Sequence, residues 1–227
     1  MKTTPNQSSE LYKTKSNRYY GGARVDFIDM LPQNPNAFLL EIGSGNGDTS
    51  EYALQQKKCG KCYGIELSES AAALAIGKKH DILIGDIENM VIDFPLDHFD
   101  VLIISEVLEH LRDPWSTLKR LKKHLKADAI IISGSPNVCH HSVLYNLLSG
   151  KWKYEPSGIF DETHLRWFSP SSYRDLFIDS GYEVIECGPA FPIEKKSKLA
   201  NLLTLKKVEY LFHTQTRLIA RPIHSES

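Results

Sequence analysis

Two short stretches of this chain combine residue types and spacings that plain scaffolding does not need. The first is Leu39-Leu40-Glu41-Ile42-Gly43-Ser44-Gly45-Asn46-Gly47, an apolar run that ends in a carboxylate and passes into glycines at every second position. Glycine permits sharp turns and lets bare backbone approach a ligand, and the first N–H groups of a following helix point at whatever sits there. Such a loop suits a nucleotide-like molecule. The dinucleotide pattern is G-x-G-x-x-G, whereas here the third glycine is Gly47 and Asp48 follows it, which weakens a pyrophosphate reading. Glu41 is a poor neighbour for a phosphate and a good one for a cationic amino group. The second stretch is Glu106-Val107-Leu108-Glu109-His110. Spacings of three and four would bring Glu106, Glu109 and His110 to one face of a helical turn. Two carboxylates and an imidazole can move protons or hold a divalent cation such as magnesium, manganese or zinc.

A glycine loop also serves as an ordinary turn, so its meaning depends on the elements around it. About 20 residues past the loop, the spacing at which an acid reaches ribose hydroxyls, the short strand Cys62-Tyr63-Gly64-Ile65 ends in Glu66. A third strand, Ile82-Leu83-Ile84, ends at Gly85-Asp86-Ile87, where a carboxylate beside an apolar residue can meet an adenine amino group and cover the ring. A fourth, Phe99 to Ile104, ends at Ser105-Glu106. Each group lies at a strand's carboxyl end, where open α/β sheets bind ligands. A lone carboxylate there is more often a helix cap or a solvated strand end. Four in order at these spacings argue for one pocket.

The remaining layout is a polar leader to about residue 17, an aromatic and basic segment, then alternating strands and helices. Helices are expected at roughly 48–58, from Ser68 as N-cap to Gly77, and after Asp113-Pro114, a capping residue followed by proline at the first helical position. A fifth strand is Ala129–Ser133, and two late strands, Tyr182–Glu186 and Thr216–Ala220, are separated by a helical stretch around 195–212. The length of 227 residues fits one domain able to bury its own core. A net charge of -1, from 27 basic and 28 acidic residues, offers no global field for nucleic acid or anionic membrane. Of two local basic clusters, 119–123 reads as a solvated helix face opposite Leu118, Leu121 and Leu125, and the other is Lys195-Lys196-Ser197-Lys198. There is no apolar run of membrane-spanning length and no signal-peptide core after Met1, so the expected location is cytoplasmic, without a membrane partner. Cys59-Gly60-Lys61-Cys62 lacks a second pair and lies between a helix and a strand, so Cys59 and Cys62, with Cys139 and Cys187, read as ordinary reduced thiols.

The ordered series of strand ends resembles the class I S-adenosylmethionine-dependent methyltransferases from roughly residue 19 to the C-terminus. The resemblance implies an α/β fold, a Rossmann-like doubly wound seven-stranded sheet with the last strand antiparallel. It implies a leader over residues 1–24 able to cover the cofactor, one methyltransferase domain over 25–227, and residues 136–170 as a substrate-binding insertion. S-adenosylmethionine would then be the cofactor. Glu41 and the backbone of Gly43, Gly45 and Gly47 would surround its methionine portion, Glu66 would take the ribose hydroxyls with Leu67 against the adenine, Asp86 and Ile87 would read the adenine, and Ser105 would lie near the sulfonium. Tyr20 and Arg24 would close the pocket from the other side, Arg24 either as a fork for the cofactor's carboxylate or as a surface arginine at a helix start.

The turn Glu106–His110 is similar to that of ubiquinone-pathway O-methyltransferases and of small-RNA 2′-O-methyltransferases, whose matching residues are associated with a divalent ion. By that resemblance Glu106, Glu109, His110 and His164 would form a metal set. The metal-free reading makes His110 the base or base-orienter, with Glu106 and Glu109 holding it and His164 completing the far wall. Residues 136–170 are long and aromatic; Trp152, Phe160, Trp167 and Phe168 either form a lid over an acceptor or a satellite core. The expected acceptor is a hydroxyl or amine of a small metabolite, a sugar, glycoside or quinone-type precursor. An RNA 2′-hydroxyl is the alternative, against which stands the absence of a basic stripe, and a non-catalytic cofactor-binding regulator is a third. Oligomeric state is left open.

Overall fold

The computed structural model describes residues 21–78, 80–192 and 208–224. Tyr20, the rest of the leader before it, the cluster Lys195–Lys198 and most of the helix expected at 195–212 lie outside the described residues. Elements follow in the order α1 (Val25–Ile28), β1 (Phe38–Ile42), α2 (Asp48–Gln55), β2 (Lys61–Glu66), α3 (Glu69–Gly77), β3 (Asp81–Ile84), β4 (Phe99–Ser105), a 3₁₀ turn (Leu108–His110), α4 (Pro114–Lys122), β5 (Leu125–Pro136), α5 (His141–Leu148), α6 (Pro170–Asp179), β6 (Tyr182–Pro189), a second 3₁₀ turn (Glu209–Phe212) and β7 (Gln215–Pro222).

One seven-stranded sheet runs β3-β2-β1-β4-β5-β7-β6. The first five strands in that order pair in parallel, and β7 is inserted antiparallel between β5 and β6. The chain winds outward from β1 to β3 and then returns to lay β4 against the other side of β1. That reversal opens a crevice above the carboxyl ends of β1 and β4, where doubly wound sheets take their ligands. Both faces of the sheet are covered. Successive residues go to opposite sides: Leu40, Ile42, Leu102 and Ile104 join a core with Leu118, Tyr173 and Phe177, while Leu39 and Ile103 join one with Phe27, Ile28 and Ala53. Burial on both faces explains why these strands read as unbroken apolar runs.

The helix starts are where side chains supply the missing acceptors. Ser68 Oγ accepts from the Ala71 N–H, and Asp113 Oδ1 accepts from the Ser116 N–H at 3.0 Å ahead of Pro114. Several expected boundaries move, among them those of β6 and β7, which run on to Pro189 and Pro222. α2 ends at Gln55 rather than 58, because Lys57 adopts φ 55° and breaks the helical path. β5 is longer than expected at both ends, since β4 supports it on one side and β7 continues pairing with it as far as Pro136. The segment Glu106–His110 forms no α-helical turn. Glu106 takes φ 54° and only Leu108–His110 coil, as a 3₁₀ turn, so the spacing argument for a shared face fails at Glu106.

Cys59 and Cys62 are buried with their sulfurs 3.3 Å apart, and the hydrogen bond between them and burial hold the Cys62 thiol well above its ordinary range. They are packing residues of the second core. Among the described residues no helix is long and apolar enough to cross a membrane.

Candidate active site

A cavity of about 670 Å³ lies above the carboxyl ends of β1, β2 and β4. Its wall holds Arg24, Glu41, Gly43, Gly45, Glu66, Leu67, Asp86, Ile87, Ser105, Glu106, His110 and His164, drawn from segments far apart in the chain. Gly47 and Glu109 stand outside the wall. Gly47, at φ 77°, caps α2, and a Cβ there would come within 2.7 Å of His80 Cδ2, so this glycine gives room to a buried histidine rather than to a ligand. Gly43, at φ 69°, is exposed in the cavity wall, and a Cβ there would come within 2.6 Å of Val107 Cγ2.

The acids at the strand ends are built into the frame of the pocket. Glu41 is buried and accepts from Ser50 Oγ at 2.7 Å, and burial pushes its pKa up to about 7. Glu66 accepts from the Gly45 N–H at 2.7 Å and the Ser68 N–H at 2.8 Å, so one carboxylate ties the glycine loop to the end of β2. Burial raises its pKa also. Asp86 accepts from the Glu88 N–H and from Asn89 Nδ2, which holds the turn after β3. Each carboxylate oxygen has a second lone pair, so these bonds leave acceptor capacity for ribose or adenine donors.

Arg24 spends its fork within the protein. Nε and Nη2 donate to the Asp26 carboxylate at 2.9 and 2.7 Å, Nη2 also donates to Gln215 Oε1, Nη1 donates to Ser105 Oγ, and the guanidinium lies 3.7 Å from the centre of the Phe27 ring. The residue is neither a plain surface arginine nor a fork open toward a ligand. It fastens the segment before α1 to β4 and β7, helped by the Gly22 N–H donating to Asp48 Oδ2 at 2.8 Å.

Glu106 belongs to that network. Gln215 Nε2 donates to Glu106 Oε1, and burial raises the carboxyl pKa against the pull of Arg24. The ligand group expected from the sequence therefore divides. Glu109, His110 and His164 offer atoms all within 4.8 Å of one another, and Glu106 is not among them. Glu109 is buried, accepts from Ser135 Oγ at 3.2 Å through Oε2, and leaves Oε1 without a hydrogen-bond partner. Burial and the Glu106 charge hold its pKa well above the carboxylate range. One orphaned carboxylate oxygen and two imidazoles fit a divalent cation in kind and number.

His110 and His164 stand with ring centres 4.7 Å apart. Nδ1 of His110 lies 3.2 Å from the Thr163 carbonyl oxygen, and Nδ1 of His164 lies 3.2 Å from that of Ile159. A carbonyl only accepts, so both Nδ1 atoms carry a proton, and in the neutral form of each ring Nε2 is the basic atom.

The insertion contributes Pro136, Gly158, Ile159, Asp161, His164 and Leu165 to the wall. Its large aromatics do not line the cavity. Trp152 packs edge-on against Phe160 and Trp167 at 5.0 and 5.6 Å, and Phe168 joins the main core beside Tyr173. Sequence reasoning gave no role to Asp48, Asp161, Thr163 or Gln215. Asp161-Glu162-Thr163 carries a short-range signal for a side-chain turn, but nothing in the sequence ties Gln215 to Glu106.

Fold and site together define a class I S-adenosylmethionine-dependent methyltransferase. The chain belongs to the methyltransferase-domain family whose profile matches residues 16–187. It is similar to the ubiquinone biosynthesis O-methyltransferase of Pseudomonas paraeruginosa, 28% identical over 204 residues that cover 85% of this chain and 84% of the relative. Among solved structures, a chain from the complex between the Haloferax volcanii Trm112 methyltransferase activator and a methyltransferase superposes with a TM-score of 0.65 at 14% identity, covering 98% of this chain and 100% of that one. A SAM-dependent methyltransferase from Archaeoglobus fulgidus gives 0.63 at 18% identity, with 94% of each chain covered.

Proposed function

We propose that the protein methylates a hydroxyl or amine of a small metabolite, a quinone-type precursor, sugar or glycoside, with His110 as the base. The observation that carries this reading is that the imidazoles of His110 and His164 stand in the wall of the same cavity as the glycine loop. The similarity to a ubiquinone biosynthesis O-methyltransferase supports a small-molecule hydroxyl. A cytoplasmic location and a substrate-facing role for residues 136–170 belong to the same reading.

Bound S-adenosylmethionine supplies a methyl carbon already activated by sulfonium. Glu41 would pair with its amino group, Glu66 with the ribose hydroxyls and Asp86 with the adenine amino group, while Leu67 and Ile87 cover the ring. Ser105 and Arg24 would bound the methionine end. The remaining task is alignment and removal of one proton from the acceptor. The acceptor's lone pair would form the new bond to carbon as the carbon–sulfur bond breaks and leaves a neutral thioether, Nε2 of His110 would take the acceptor's proton, and His164, Ile159 and Leu165 would wall the acceptor.

A metal-assisted version has one observation in its favour, the clustering of Glu109, His110 and His164 around an unpartnered Glu109 oxygen. Those three would hold the cation, which would orient the acceptor oxygen. The test begins with a screen of phenolic, sugar and amine metabolites for cofactor-dependent methylation. His110→Ala should then lose about a hundredfold or more in turnover with S-adenosylmethionine affinity intact, and chelator should have no effect. Loss of activity to chelator with recovery on magnesium or manganese supports the metal version. Full activity in both His110→Ala and His164→Ala defeats both.

A further inference from the structure

His110 does not meet only the backbone of the insertion. Its Nδ1 lies 3.1 Å from Thr163 Oγ1 as well as 3.2 Å from the Thr163 carbonyl oxygen. The same hydroxyl donates to Asp161 Oδ1 at 2.7 Å, and Asp161 Oδ1 also accepts from the Thr163 N–H at 2.8 Å. Directions in this chain are fixed by chemistry. A hydroxyl has one hydrogen, and a carboxylate only accepts, so the hydroxyl hydrogen goes to Asp161 and its lone pair faces the ring. The ring must then present Nδ1–H, which the carbonyl demands independently.

We infer that Thr163 and Asp161 are positioning residues for His110, forming a relay of Nδ1–H to hydroxyl to carboxylate that holds the imidazole in one tautomer with Nε2 as its basic atom. The inference rests on the assignment of His110 above. A base oriented by a third group is a recurrent arrangement in enzymes that activate hydroxyls and thiols, and here a threonine stands between base and acid. Asp161 and Thr163 are buried at 2% and 7% exposure, so the carboxylate acts on the ring with little screening by water. The surrounding backbone makes the relay rigid. The Glu109 carbonyl accepts from the N–H groups of Leu165 and Arg166 at 2.8 and 2.9 Å, Glu155 forms an isolated bridge with Asp161 by donating to the Phe160 carbonyl and accepting from the Glu162 N–H, and Asp161 accepts within its own turn. His110 and the relay are thereby tied through backbone bonds on both sides. Thr163 also precedes His164, so the turn that orders one ring orders its neighbour.

Thr163→Val keeps shape and backbone carbonyl and removes only the hydroxyl. Measured on the full chain with the acceptor found above, it should lower kcat roughly tenfold or more, as losses of an orienting partner do, while the Kd for S-adenosylmethionine and the acceptor KM stay within about twofold. Thr163→Ser should restore kcat, and Asp161→Asn, which keeps an oxygen acceptor but no charge, should fall between. Nitrogen-15 spectra of labelled histidine should show the Nδ1–H tautomer of His110 in both chains, because the Thr163 carbonyl remains, with the Nδ1 resonance shifted and its proton exchanging faster with water in Thr163→Val. Wild-type kcat in Thr163→Val with the Nδ1 resonance unchanged overturns the relay. If Thr163→Val fails to bind S-adenosylmethionine, Thr163→Ser and Asp161→Asn carry the decision by the same kcat and Nδ1 readouts. Full activity in His110→Ala instead removes the base assignment, a different result from an inactive His110→Ala beside a fully active Thr163→Val.

Discussion

Glu41 ends β1 with its carboxyl buried, and burial outweighs the hydrogen bonds from Ser50 and Thr49 to raise its pKa from 4.5 to about 7. A carboxyl raised in the folded state stabilises the empty protein fully below the unfolded value and loses that contribution as pH rises through about 7. A bound ammonium group reverses the preference, because it gives the ionised carboxylate a partner in a low-dielectric site. S-adenosylmethionine should therefore bind more tightly from pH 6 to pH 8, approaching tenfold per pH unit on the acid side and levelling above about 7. Calorimetry in buffers of different ionisation enthalpy should register proton release at pH 6.5. Glu41→Gln should flatten the profile, and an unchanged profile would remove Glu41 from the ammonium site. The role of Glu41 as a pocket acid was readable from its place before the glycines. Its raised pKa was not, because that depends on α2 and β2 closing over it.

The connection between α5 and α6 shows how a segment without a helix or strand is held in place. Trp152 makes two edge-to-face contacts, with Phe160 and Trp167, behind the turn that carries Asp161, Thr163 and His164. Aromatic pairs of this geometry contribute about 0.5–1.5 kcal/mol each. Trp152→Ala should therefore loosen the turn by about 1–3 kcal/mol, raising the acceptor KM roughly tenfold and leaving the cofactor Kd unchanged, since none of the three rings lines the cavity. A cofactor Kd that moved with KM would mean that the loop braces the whole pocket. The sequence showed an aromatic segment too long for a plain connection and left lid and satellite core equally open. Contacts decide it: the rings form the brace, and smaller residues between them form the wall.

At the scale of the molecule, the strand order 3-2-1-4-5-7-6 places one crevice above β1 and β4, and a carboxyl such as Glu41 in its wall suits a cationic nucleoside better than a dinucleotide. S-adenosylmethionine at a hundred times its Kd should stabilise the fold by about 2.7 kcal/mol, a rise of roughly 5–10 °C in Tm for a chain of this size. NAD at the same concentration should leave Tm unchanged. An equal shift with NAD would undo the exclusion drawn from Glu41 and the shortened glycine pattern. The sequence by itself determined the parallel strands, the acids at their carboxyl ends and the helix caps, because buried strands are apolar throughout and caps are local hydrogen bonds between residues a few positions apart. By resemblance it grouped Glu106, Glu109, His110 and His164, of which the last three have atoms within 4.8 Å of one another in the structure. Only the tertiary structure decided that Glu106 turns to Gln215 and Arg24, that Gly47 makes room for His80, and that Thr163 and Asp161 stand behind His110. Each of these depends on a left-handed backbone angle or on contact between residues dozens of positions apart, and side-chain spacing along one segment carries no information about either.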